Sequence, residues 1–93
     1  MILSFGNALT EAIARGGAPK RFPSDLLKSA LRKLTMLEYA ISLDDLRSPP
    51  GNRLEALKGD RKGQHSIRVN DQWRICFVWG AAGPEQVEIT DYH

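Results

Sequence analysis

Apolar residues recur at a helical period in the first half of this chain and at the period of a strand in the second, and the change falls at Ser48-Pro49-Pro50-Gly51-Asn52. No helix continues through that stretch, so the chain reads as an α+β domain with its helices first and an antiparallel sheet after them. Over residues 26–41, Leu26, Leu27, Ala30, Leu31, Leu34, Leu37 and Ile41 follow one another at spacings of one, three and four. Lys28, Arg32 and Thr35 take the other side, as an amphipathic helix requires. Pro23 suits its first turn and Ser24 can cap it. A shorter helix is expected at 7–15, with Ala8, Leu9, Ala12 and Ile13 on one side and Gly16-Gly17 stopping it. Residues 1–5 read as a short strand and 43–46 as a short turn.

Beyond the prolines, residues 53–57, 65–69, 72–79 and 86–92 read as strands, with a glycine-bounded loop at 58–64 and turns at Asn70-Asp71 and 81–84. Side-chain parity fixes the central turn. A strict two-residue loop at Asn70-Asp71 would pair Ile67 with Arg74 and Arg68 with Trp73, mixing apolar and charged residues on both faces. A three-residue loop, 70–72, pairs Val69 with Trp73, Ile67 with Ile75 and Arg68 with Arg74. Ile67, Val69, Trp73, Ile75, Phe77 and Trp79 then share one face with the helices, and Trp73 and Trp79 are core residues rather than stacking platforms. Ninety-three residues, 42% hydrophobic and 26% charged, suffice for one small core, so a single domain is expected to span 1–93.

Charge is segregated along the chain. Residues 1–52 carry seven Lys/Arg against five Asp/Glu, residues 53–74 six against three, and residues 75–93 none against three. The basic middle segment interleaves Arg53, Lys58, Arg61, Lys62, Arg68 and Arg74 with His65 and Trp73, a mixture that suits a phosphate backbone. The outer edge of the long helix, Lys28, Arg32 and Lys33, is a solvated face or a second contact for RNA or an acidic protein. Two guanidiniums set across a strand pair, Arg68 and Arg74, repel and need an anion nearby. Glu88 and Asp91 of the last strand are internal candidates. A bound phosphate, gripped in bidentate fashion, is the external one.

The lone cysteine, Cys76, excludes an internal disulfide, and no CxxC or Cys/His cluster points to zinc or another metal. Cys76 reads as a small packing residue. Asn7 and Glu11 interrupt the apolar stretch a signal peptide needs, and no apolar run approaches the ~18 residues of a membrane span, so the cytoplasm is the expected compartment. Walker, dinucleotide-binding, Ser/His/Asp and HExxH signatures are lacking. The remaining chemistry is that of His, Lys, Arg, Tyr and carboxylates, which can cleave RNA without a metal or cofactor. The 2′-hydroxyl loses a proton, the phosphate meets positive charge and the departing 5′-oxygen meets an acid.

The strings LKGDRKG, SIRVN and QWRI, closed by the terminal DYH, resemble the HigB branch of the RelE/ParE superfamily of bacterial type II toxins, and the likeness extends through the N-terminal helices. The resemblance implies two helices on a curved antiparallel sheet and a ribosome-dependent mRNA endonuclease acting in the A site. It also implies neutralisation by a HigA-like helix-turn-helix antitoxin, through which alone the toxin meets operator DNA. Lys58 and Arg74 match the basic positions at the scissile phosphate. Asp91, Tyr92 and His93 match the terminal catalytic group: His93 handling protons, Tyr92 orienting or stacking on a base, Asp91 holding His93. Arg61 and Lys62 match a basic loop assigned to ribosomal RNA, and Arg68 and His65 join them as RNA contacts.

One position departs from the family pattern: where several relatives read His-Pro-Leu-Lys-Gly, this chain has Glu55-Ala56-Leu57-Lys58-Gly59. Glu55 either acts as general base or pairs with Lys58, and His65 is a possible substitute for the missing imidazole. Two rival readings keep the fold: a ParE-like gyrase poison, which would lack the Asp-Tyr-His ending, and an inactive homologue serving as an antitoxin-binding co-repressor.

Overall fold

In a computed structural model that describes residues 1–91, two helices, α1 (Ala8–Ala14) and α2 (Leu27–Tyr39), lie on one face of a four-stranded antiparallel sheet. Its strands, β1 (Glu55–Ala56), β2 (His65–Arg68), β3 (Trp73–Gly80) and β4 (Gly83–Asp91), neighbour one another in chain order. The helices-then-sheet α+β architecture is therefore the one the periodicity predicts.

The expected register is also present. Ile67 opposes Ile75 and Arg68 opposes Arg74. The turn between them is held by Asn70, whose Oδ1 accepts the N–H groups of Gln72 at 2.9 Å and Trp73 at 2.7 Å, while the Val69 N–H reaches the Trp73 carbonyl at 2.9 Å. Alternation then sends Ile67, Ile75, Phe77, Val87 and Ile89 inward against Ile13, Leu34, Leu37 and Leu46. Val69, Trp73 and Trp79 pack at the margin, with Phe22 edge-on to Trp73 at 5.0 Å.

α1 is tied to β4 through one buried residue. Asn7 caps the helix by accepting the Thr10 N–H, and the Thr10 hydroxyl donates to Asn7 Oδ1 at 2.5 Å while accepting the Ile89 N–H at 2.7 Å. Ser24 does not cap α2. A 3₁₀ turn, Ser24–Leu26, leads into the helix, starting from the Pro23 carbonyl, and no side chain caps either start. Nor does α2 reach Ile41, which is 91% exposed. The Ile41 and Ser42 N–H groups are taken by the Asp45 carboxylate, in a capping box that starts the 3₁₀ turn Leu43–Arg47. Those two backbone donors hold the Asp45 carboxyl below its usual range.

Three strand boundaries differ from expectation for backbone reasons. β1 is two residues long because Arg53 sits in the left-handed region (φ 46°) at the end of the 3₁₀ turn Pro50–Asn52, so pairing starts at Glu55. β4 starts at Gly83, since Ala81-Ala82 alone turn the chain. Gly83 has φ 138°, and a Cβ there would stand 2.7 Å from the Met1 carbonyl oxygen. Residues 1–5 form no strand. Leu3, Ser4 and Gly6 hydrogen-bond along the free edge of β4, yet only Phe5 makes a parallel bridge, to Val87. The ladder there is broken by a bulge: Phe77 faces both Gln86 (φ 52°) and Val87, and the Gln86 N–H turns to Ser4 Oγ at 2.8 Å.

Two features give testable stability statements. Asn52 is fully buried. Its Oδ1 accepts from the Lys33 ammonium, and its Nδ2 donates to the carbonyls of Leu46 at 3.2 Å and Ser48 at 3.4 Å. Asn52→Ala should cost about 2–3 kcal/mol in urea unfolding, since it strands a partly buried cation as well as two carbonyls. Cys76 is buried on the sheet face away from the helices, and burial pushes its thiol pKa up. Fewer thiolates at pH 8 and a closed path mean that a thiol reagent should label native protein on the order of a hundredfold or more slower than protein in urea.

Candidate nucleic-acid cleavage site

The register that buries Ile75 aims the alternate residues at the open face. Glu55 opposes Ser66, Ser66 opposes Cys76 and Cys76 opposes Glu88, one line crossing all four strands over roughly 15 Å. The next line is Arg68, Arg74 and Thr90. Ser66 and Cys76 are fully buried, whereas Glu55 is exposed and Glu88 and Arg74 half-buried. The charges of Arg61, Glu88, Arg74 and Glu55 all act on the Cys76 thiol after burial, which marks them as its neighbours.

Arg74 is held without a counter-charge. Its Nε donates to Ser66 Oγ at 2.7 Å, and its Nη2 donates to the Arg53 carbonyl at 2.7 Å and to the Ser66 carbonyl at 3.4 Å. Among the described residues it makes no ion pair. The like-charge problem with Arg68 is solved differently from either internal expectation. Arg68 pairs with Asp71 across the turn, three residues along. Glu88 lies opposite Cys76 and pairs with Arg61 at 2.7 Å. Asp91 lies opposite Trp73, on the helix-facing parity, and accepts from Gln72 Nε2 at 2.9 Å. The bidentate grip through Nε and Nη2 is likewise taken up, because both nitrogens already have protein acceptors.

The other expected site residues divide. Glu55 joins the open face. Lys58 is exposed at the start of the 3₁₀ turn Gly59–Arg61, and Lys62 is exposed at its end. Arg61 folds back from that loop, reaching Gln64 Oε1 at 3.0 Å as well as Glu88, so it straps the loop to the sheet rather than standing open. His65 does not join the open face. It opposes Phe77, its ring stacks on that side chain at 6.3 Å, and its Nδ1 is buried without a hydrogen-bond partner in the described structure. Asp91 does not converge with Arg74, for the parity reason just given. Tyr92 and His93 lie outside the described residues.

A cationic strip continues past this face. Lys33 of α2 bonds Asn52, and burial, then Arg32 and Arg68, lower its pKa, so these three cations lie close together beside Arg74's strand. Sequence reasoning missed Ser66 and the Arg53 carbonyl as site groups. The alternation in SIRVN was sufficient to put Ser66 beside Arg74, but a small hydroxyl carries no signal of its own. Among the described residues, no three His, Cys, Asp or Glu side chains gather as metal ligands would.

Residues 7–93 match the sequence family described as the RelE-like toxin of type II toxin-antitoxin system HigB. Toxin HigB-1 of Vibrio cholerae is 51% identical over 57 residues, covering 61% of this chain, and the matched part spans only 60% of that protein. Endoribonuclease HigB of Proteus vulgaris is 28% identical over 93 residues, the whole of both chains. Among solved structures, the YoeB-YefM complex from Staphylococcus aureus superposes with a TM-score of 0.61 at 14% identity, covering 100% of this chain and 98% of that one, a likeness of fold. With the family's sequence pattern running from Asn7 to the last residue, this chain belongs to the HigB-like family of RelE-like type II toxins.

Proposed function

We propose that the chain is the toxin of a toxin-antitoxin pair and that it cuts messenger RNA in the ribosomal A site. The reaction is a transfer of the phosphate to the neighbouring 2′-hydroxyl, run by side chains without metal or cofactor. The observation that carries this reading is Arg74: an arginine fixed on an open sheet face by neutral acceptors, with its charge left for a substrate phosphate. Family membership and the full-length likeness to an endoribonuclease support it. A HigA-like helix-turn-helix antitoxin is the partner that silences it and links it to operator DNA, and its work is done in the cytoplasm.

Three tasks need residues. Arg74, with Lys58 from the adjoining loop, stabilises the charge that develops on the phosphate. Glu55 is an exposed carboxylate on the line of Ser66, one pair from Arg74, and serves as general base toward the 2′-hydroxyl. His93 supplies the proton to the departing 5′-oxygen, and Tyr92 stacks on or orients a base. Lys62, Arg68 and the Lys33 strip follow the RNA backbone. Asp91, on the other parity, anchors the strand end through Gln72.

On translating ribosomes, with mRNA ends mapped, Arg74→Ala should lower the cleavage rate by about 10²–10³-fold, the scale of a lost charge stabiliser. Glu55→Gln should lower it by about 10²-fold or more, the scale of a lost general base. Undiminished cutting by Arg74→Ala refutes the site. The Tyr92→Ala, His93→Ala double variant should cut no mRNA, with its melting midpoint measured alongside to separate lost chemistry from lost folding. Full activity in that variant removes the two terminal residues from the mechanism.

A further inference from the structure

Arg74 has five N–H groups, and the protein's own acceptors take the edge formed by Nε and Nη2. The remaining amino group, Nη1, has no acceptor among the described residues. Ser66, which supplies the acceptor for Nε, is fully buried in the middle of the sheet, and among the described residues its hydroxyl has no other partner. The second acceptor is the carbonyl of Arg53, presented by a residue in the left-handed conformation at φ 46°. A carboxylate in Ser66's place would fix the guanidinium equally well but would offset its charge. A hydroxyl and a carbonyl fix it and leave the full charge available.

We infer that Ser66 is a positioning residue for RNA cleavage: with the Arg53 carbonyl it locks the Arg74 guanidinium so that Nη1 meets the scissile phosphate end-on. The inference rests on the nuclease reading above and adds the orientation of its central cation. A long arginine loses much rotational freedom on ordering. Here that ordering is complete before RNA arrives, so substrate binding need not supply it. The end-on approach also differs from the two-pronged Nε/Nη2 grip, because a phosphate taken that way would have to displace both internal bonds.

The test uses full-length protein on programmed ribosomes under single-turnover conditions, varying toxin concentration so that the maximal rate and the half-saturating concentration are read separately. Ser66→Ala and Ser66→Cys should each lower the maximal rate by about 10- to 100-fold while the half-saturating concentration changes less than about threefold, the pattern of an interaction used only in the transition state. Cysteine fills the space of serine with a poor acceptor, so it carries the test if alanine disturbs folding, which melting midpoints report. Ser66→Thr, which keeps the hydroxyl, should retain most of the rate. In an Arg74→Lys background, which has no Nε to hold, Ser66→Ala should cost nothing further.

Wild-type rates in both Ser66→Ala and Ser66→Cys overturn the positioning role and leave the nuclease standing. So does an equal loss with and without Arg74, which would make Ser66 merely structural. Absence of any cleavage by wild-type protein overturns the nuclease reading, and the positioning role with it.

Discussion

The pleat of the β2–β3 pair is the constraint from which the site follows. Asn70 sets it by accepting two successive backbone N–H groups, which closes the turn at three residues and puts Ile67 across from Ile75. A slip of one residue would turn Ile75 and Phe77 to water and bring Arg74 and Cys76 under the helices. The apolar face cannot tolerate that exchange, because each large side chain buried there contributes about 1.5–3 kcal/mol. The hydrophobic core therefore holds the opposite face in place: Arg74, Ser66, Glu55 and Glu88 share one surface because their neighbours in sequence are needed on the other.

The electrostatics of that surface follow a division of labour. Arg68 and Arg61 are each paired with a carboxylate of the protein, Asp71 and Glu88. Among the described residues, Arg74, at the centre, is held by neutral oxygens alone. Both kinds of contact immobilise a long side chain, but only the second leaves its field undiminished. Because Arg74 is half-buried, that difference is larger than it would be at a fully solvated surface.

Strict alternation made the fold and the central register readable from the sequence. Ile67, Val69, Trp73, Ile75 and Phe77 admit one clean partition of faces, and the three-residue turn was the one that gave it. What the sequence did not disclose depends on backbone detail. Nothing in RLEALKG announces that Arg53 turns left-handed and shortens β1, and nothing in PEQVEI marks Gln86 as the extra residue of a bulge. Ser24 looks like a helix cap, but the chain enters α2 through a 3₁₀ turn in which the Leu26 N–H reaches the Pro23 carbonyl and the Leu27 N–H, the first of α2, reaches the Ser24 carbonyl. Within the site, the charged residues were legible by type, and the carboxylate that pairs with Arg68 is Asp71 rather than Glu88 or Asp91. Asp91 fell on the other face by parity, His65 went to Phe77, and the acceptors that matter to Arg74 were a serine and a peptide carbonyl, groups with no compositional signature. The roles of Lys58, Tyr92 and His93 came from family resemblance, since spacing alone says nothing of a catalytic chain end.

Residues 1–6 form a broken, one-bridge companion to β4. They nevertheless occupy the hydrogen-bonding groups along much of that strand's outer side. At the opposite side of the sheet, β1 offers two residues. A sheet with one flank sheathed and the other cut short gives little purchase for a further strand, whether from a second molecule or a growing fibre. For a small sheet protein that bluntness guards against edge-to-edge association, and residues 1–6 help supply it.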